Sequence, residues 1–229
     1  MPHSPPSRLS WRAAVSAACL GAALGPAPAA EPAEPRHPLL GRCDTLPSAD
    51  CAAELEAKAL AAGDGAVRRE GEVLRLPDGS QVPDTAQRQF RWLGAVGDTG
   101  LHLLLERPAD APAGYRLVGL GAPPLRLDAP PWLAPGERLM VSVSDLGPNA
   151  PPGGLRLPGR VDARWRVLLY QELPGGMGLQ FQNWRSDGAA VRLQWHCVDG
   201  SSGAVQLRDG PYGWDFVPAL PGRCGPGGR

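Results

Sequence analysis

The chain has 229 residues, and its 23 basic and 23 acidic side chains cancel. A balanced charge supplies no field that would select nucleic acid or an anionic membrane, and this length suffices for one or two domains with a core of their own. The 30 Gly and 27 Pro punctuate apolar runs at intervals instead of forming tracts, which is the composition of many short strands joined by turns.

Residues 1–30 read as an export signal. Arg8 and Arg12 form a basic start, Ala13 to Leu24 is apolar but too short to span a bilayer, and Pro26 ends it. Ala27-Pro28-Ala29 is a small-x-small pattern, so cleavage is expected after Ala29 or Ala30. The alternative is a lipoprotein signal acylated at Cys19, for which Ser16-Ala17-Ala18 supplies small residues but no Leu or Val. No other stretch approaches a transmembrane helix.

Cleavage leaves Cys43, Cys51, Cys197 and Cys224. An even number in an exported chain implies disulfides, and four cysteines allow three pairings. The sequence-local pairing, Cys43–Cys51 and Cys197–Cys224, is favoured because short loops close at lower entropic cost. There is no C-x-x-C for a redox centre or a zinc site. Residues 31–66 comprise a Pro-rich lead-in and one helix over Ala49–Ala62, capped by Ser48 and ended by Gly63. Leu55 and Leu60 are its large apolar residues, so its packing face is thin.

From Val67 the apolar period changes to two, and residues 67–217 read as a β region. Val73 to Leu76 turns at Pro77-Asp78-Gly79-Ser80 into Gln81-Val82. Phe90 to Leu93 follows, then Leu101-His102-Leu103-Leu104-Leu105, a run suited to a strand covered on both faces. Further strands are expected at Tyr115 to Leu120, Leu125 to Leu127, Leu139 to Val143, Leu155 to Leu157, Arg164 to Tyr170, Leu179 to Gln182, Val191 to Trp195, Ala204 to Leu207 and Tyr212 to Val217. Gly147 to Gly154, with Pro148, Pro151 and Pro152, reads as an exposed loop. Residues 218–229 form a Gly/Pro-rich tail that Cys224 staples back.

One pattern recurs. Trp132 precedes Gly136 by four positions, and Trp184 precedes Gly188 likewise, each followed by alternating large apolar residues. Pro130-Pro131-Trp132-Leu133-Ala134-Pro135-Gly136 and Trp184-Arg185-Ser186-Asp187-Gly188 resemble degenerate repeats of TolB-like or WD-type β-propellers of exported bacterial proteins. The first unit lacks the Asp of that pattern, and the second lacks both prolines. The resemblance implies an all-β, mainly antiparallel fold: a small or incomplete propeller-like array with one N-terminal helix. It also implies a binding or scaffolding role in the envelope, with an envelope protein or a glycan as partner.

The residues show no established catalytic motif. Gly200-Ser201-Ser202-Gly203 is one residue short of a nucleophile elbow. His102 is read as a strand histidine, with a general base as the alternative, and the mature histidines His37, His102 and His196 have no ligand-like spacing. Asp145, Asp187, Asp199 and Asp209 sit at turns, where they satisfy backbone amides, with a calcium site as the alternative. Trp92, Trp132, Trp165, Trp184, Trp195 and Trp214 are read as core. The alternative is a stacking surface backed by Arg91, Arg164, Arg166 and Arg185. Arg164 and Arg166 flank Trp165 on a strand and so face away from it. The expectation is a non-enzymatic exported protein without cofactor. A hydrolase with dispersed catalytic residues and a purely structural protein are the alternatives.

Overall fold

The computed structural model describes residues 37–44, 46–119, 123–144 and 154–224. Cys19, Ala29, Ala30, Asp145 and most of the loop at 147–154 lie outside them.

The elements, in chain order, are α1 (Ala49–Ala62), β1 (Arg68–Glu70), β2 (Val73–Arg75), β3 (Gln81–Pro83), β4 (Arg88–Ala95), β5 (His102–Pro108), β6 (Gly114–Val118), β7 (Leu125–Leu127), β8 (Trp132–Leu133), β9 (Met140–Val143), β10 (Gly154–Val161), β11 (Arg164–Glu172), β12 (Met177–Trp184), β13 (Ala190–Cys197), β14 (Ser202–Gly210) and β15 (Gly213–Val217). The fold is mainly antiparallel β. A three-stranded sheet, β1-β2-β3, is followed by three four-stranded meanders, β4 to β7, β8 to β11 and β12 to β15, each joined in sequence order.

The sheets pack face on face in the order of the chain. Phe90, Trp92, Leu104 and Val118 on one face of the β4–β7 sheet meet Leu74 and Leu76 of the small sheet. Leu93, Leu103, Leu105, Tyr115, Leu117 and Leu127 on its other face meet Ala52 of α1 and Met140 and Trp165 of the next sheet. The far face of that sheet, with Val141, Val143, Leu155 and Leu157, meets Leu179, Phe181, Val191, Leu193, Val205 and Leu207 of the last. Leu103, Leu104 and Leu105 are all fully buried. Three consecutive residues of a strand cannot all point one way, so β5 is covered on both sides, as its continuous apolar run implies.

The helix matches its expected span. The Ser48 hydroxyl accepts from Cys51 N–H at 3.2 Å, which satisfies one free donor of the first turn. Gly63 closes the helix in an extended conformation, its N–H donating to Ala59. The left-handed cap that glycine permits is therefore not used. Both disulfides take the local pairing, Cys43–Cys51 and Cys197–Cys224.

Two departures from the sequence pattern have clear causes. Leu74-Arg75-Leu76-Pro77-Asp78-Gly79 turns, whereas the near-copy Leu155-Arg156-Leu157-Pro158-Gly159 stays inside β10. Pro158 cannot donate to the ladder, and the register against β11 slips between Leu157 and Pro158, leaving Leu168 as the extra residue. The chain continues straight through that bulge. The second departure concerns the Trp motif. Ala134 N–H bonds Leu139 O and Glu137 N–H bonds Ala134 O; Arg185 to Ala190 and Gly188 to Arg185 make the same pair. These turns correspond at a spacing one residue short of the 52 between Trp132 and Trp184, so the two tryptophans are not equivalent. Trp132 stacks on Phe181 at 4.3 Å, and Trp184 Nε1 donates to Trp132 O at 3.2 Å. Val96 to Leu101 and Thr99 to Val96 repeat the bonds a third time, in the β4–β5 turn.

The β8–β9 turn has two left-handed residues, Gly136 at φ 80° and Glu137 at φ 55°, and Glu137 stands where the β12–β13 turn has Gly188, φ 71°. Glu137 tolerates the strain because its carboxylate accepts Asp98 N–H at 2.8 Å from the neighbouring sheet's turn. A Cβ on Gly97 would fall 2.3 Å from that carboxylate, so Gly97 makes room for the contact.

Candidate functional site: an arginine-rimmed cleft

Strands β1, β2 and β3 have three residues each, against eight in β4 and seven in β5. A cleft of about 390 Å³ lies along the edge of the small sheet beside β3, lined by Val82, Pro83, Phe90, Leu104 and Val118, of which Phe90, Leu104 and Val118 are themselves buried.

Glu106 lies on the same face. It continues the alternation of Leu104 and pairs across the ladder with Phe90 on one side and Gly114 on the other. Gly114 offers no side chain, which leaves Glu106 accessible to its diagonal neighbours Arg88 and Arg116. The Glu106 side chain is 3% exposed and is gripped by both. Arg116 binds it in a fork, Nε to Oε2 at 2.5 Å and Nη2 to Oε1 at 2.8 Å. Arg88 Nε reaches Oε1 at 2.7 Å. Arg116 also lies 5.7 Å over the Phe90 ring. Two guanidiniums share one carboxylate, so the cluster carries one surplus positive charge beside a low-dielectric floor, where charge acts most strongly. Arg88 and Arg116 line the cleft together with Gln81, Thr85 and Gln87.

A second charged cluster has the opposite character. Glu56 on α1 accepts from Arg69 at 2.6 and 3.0 Å and from Trp92 N–H at 2.8 Å. Asp84 accepts from Arg69, Arg91 and Phe90 N–H. Two cations meet two anions, and their bonds tie α1, the small sheet and β4 to one another. This cluster fastens elements together; it has no surplus charge to offer a ligand.

The other residues singled out in the sequence are dispersed. His37 is buried between Leu39 N–H, which donates to Nδ1 at 3.2 Å, and Pro131 O, 2.8 Å from Nε2. Its ring meets Trp132 edge-on at 4.8 Å. Burial holds its proton affinity below the ordinary histidine value, against the opposing Pro131 bond. His102 lies 6.1 Å from Trp92. Burial also lowers its proton affinity, with Asp78 opposing. Its Nδ1 has no hydrogen-bond partner among the described residues, and Asp78, the acid that acts on it, accepts from the Ser80 hydroxyl at 2.6 Å. His196 lies on β13, away from both. No Ser–His–carboxylate relay is assembled at His102.

Asp187 is clasped by Arg185 at 2.5 Å and by Ala189 N–H, and the Arg185 hydrogen bond pushes its carboxyl down to about 2. Asp199 caps Ser201 N–H and hydroxyl at 2.9 and 2.6 Å. Among the described residues no three His, Cys, Asp or Glu side chains converge as a metal site.

Trp92 and Trp165 are buried, and Trp132, Trp184, Trp195 and Trp214 pack against the core between the last two sheets. Arg164 and Arg166 are exposed while Trp165 is buried. The tryptophans are core, and Arg91, Arg164, Arg166 and Arg185 back no stacking surface.

Two further depressions are larger than the cleft. One of about 630 Å³ lies between Glu172 to Pro174 and the stapled tail, with Glu172 and Asp215 in its lining. The other, about 580 Å³, is a shallow trough on the outer face of β12–β15. Neither holds a buried charged group. Nothing in the local sequence motifs singles out Arg88, Glu106 and Arg116. The available signal was Glu106 directly after Leu103-Leu104-Leu105, in phase with the buried Leu104.

Among the described residues no helix is long and apolar enough to cross a membrane. The chain matches no protein-family model, no curated protein and no solved structure.

Proposed function

We propose that the chain is an exported, non-enzymatic binding module of the bacterial envelope, a propeller-like array of sheets that holds an envelope protein or glycan at the arginine-rimmed cleft. Two disulfides fit an oxidising compartment. The signal at residues 1–30, cut after Ala29 or Ala30, supplies the route. The observation that carries the reading is the cleft itself: a partly apolar hollow at the edge of the small sheet, with Gln81, Gln87, Arg88 and Arg116 in its lining.

The test is a ¹H–¹⁵N spectrum of the oxidised protein titrated with solubilised envelope glycan fragments and with peptides from envelope proteins. Shifts confined to Gln87, Arg88, Phe90 and Arg116 support the reading. Saturable shifts mapping instead to the outer face of β12–β15, or no binding at all, would refute it.

A further inference from the structure

Resting on that reading, we infer that the cleft recognises an oxyanion, a carboxylate or phosphate group, carried on a short apolar stem. The argument is a donor count. The Glu106 side chain is 3% exposed, takes two N–H bonds from Arg116 and forms an ion pair with Arg88 Nε at 2.7 Å. A guanidinium has five N–H donors. Arg88 uses only Nε on Glu106 and is half exposed at 48%, so its outer nitrogens face the solvent side of the cleft. Arg116 presents Nη1 beyond its fork. Both cations are anchored by one buried anion. The Arg116 plane is thus fixed by its fork before a ligand arrives, and a fixed guanidinium loses little freedom on binding.

The charge decides the sign of the ligand. Two cations and one anion leave a net attraction for a second anion and a net repulsion for an amine. The floor decides what the anion is attached to. Val82, Pro83 and Pro124 offer hydrocarbon surface with no donor over the buried Phe90, Leu104 and Val118, which rewards an apolar stem and penalises a bare hydrated ion. The volume, about 390 Å³, corresponds to roughly a dozen water volumes. It suits a headgroup with a short chain and excludes a large ring system.

Calorimetry with octanoate, octyl phosphate, octylamine and inorganic phosphate tests this on the full oxidised chain. Octanoate or octyl phosphate is expected to bind one-to-one, and whichever binds more tightly identifies the oxyanion. Octylamine and bare phosphate are expected to bind at least tenfold more weakly. Arg88→Gln removes one charge-assisted donor from a half-exposed residue and is expected to fold normally and weaken anion binding about tenfold. Glu106→Gln removes the competing anion and is expected to tighten anion binding severalfold; its far-ultraviolet spectrum must match that of the parent. A purely structural ion cluster would not yield tighter binding when its carboxylate is neutralised.

If octylamine binds as well as octanoate with the same cleft resonances shifted, the oxyanion assignment fails while the binding cleft stands. If no probe shifts those resonances, the oxyanion assignment fails, and the binding reading is decided separately by the glycan and peptide titration. Binding of the anions unchanged by Arg88→Gln overturns the assignment.

Discussion

The β4–β7 and β12–β15 sheets are built alike and used differently. Both are four-stranded meanders, and both first strands slip register three residues before the same hairpin, at Trp92/Gly94 and at Phe181/Asn183. The first sheet is covered on both faces, by the small sheet on one side and by α1 and the β8–β11 sheet on the other. The last sheet is covered on one. Its outer face carries Gln180, Gln182, Arg192, Gln194 and Gln206, with Gln182 bonded to Gln180 at 3.0 Å. A stack of sheets needs such a polar end to stop growing. The lesson is that a strand's pattern reports how many neighbours its sheet has. Leu-Leu-Leu in β5 marks a middle layer; Val-Arg-Leu-Gln in β13 marks an end layer.

The largest expected break of this contrast is Leu104→Ala. It opens a cavity beneath the small sheet and should cost about 2–5 kcal/mol in denaturant unfolding. A loss under about 1 kcal/mol would mean that face is not packed as described. Next is Cys224→Ser. The Cys197–Cys224 bond closes a 27-residue separation and holds Leu220 against the last core. Its removal should cost about 2–4 kcal/mol, with faster hydrogen exchange confined to the tail and β15. Loosening of β4–β7 in the same experiment would contradict the layered order.

A pH effect cuts across the contrast, because of the two histidines with lowered proton affinity His102 lies in the β4–β7 sheet while His37 packs on Trp132 of the next sheet. Each binds a proton less readily folded than unfolded. Their contribution is complete above the unfolded value, 6.5, and is lost as pH falls through the lower folded values. Stability should therefore decline below about pH 6.5, and His37→Gln should flatten part of that slope whatever it does to stability at neutral pH. An unchanged slope would show that His37 is not held neutral by burial. The smallest effect is expected at the end layer: Gln206→Ala should change stability by less than about 0.5 kcal/mol, as thermal unfolding would read.

Much of the layering was legible in the sequence. The helix, the β character, the local disulfides and the doubly covered β5 all follow from capping chemistry, periodicity and loop entropy. The sheet partition was not. Repeated use of one turn is written in backbone bonds, and Trp132 and Trp184 suggested a spacing one residue too long. In a strand, one residue is a change of face. The cleft was also hidden. Arg88, Glu106 and Arg116 are separated in sequence and meet only because β4, β5 and β6 pair in that register. What made Glu106 notable, burial of a charge, is a property of the assembled face. The two turn sequences around Pro77 and Pro158 show the same limit, since identical Leu-Arg-Leu-Pro strings diverge according to whether a partner strand tolerates a bulge.

Amide hydrogen exchange under native conditions tests the central claim, that layers covered on both faces form the stable middle and the last sheet a one-sided end. The account expects Leu103, Leu104 and Leu105 to exchange most slowly, at the rate of global unfolding, with β14 and β15 exchanging faster through partial opening. Slowest exchange in β13 and β14, with β5 opening first, would contradict it.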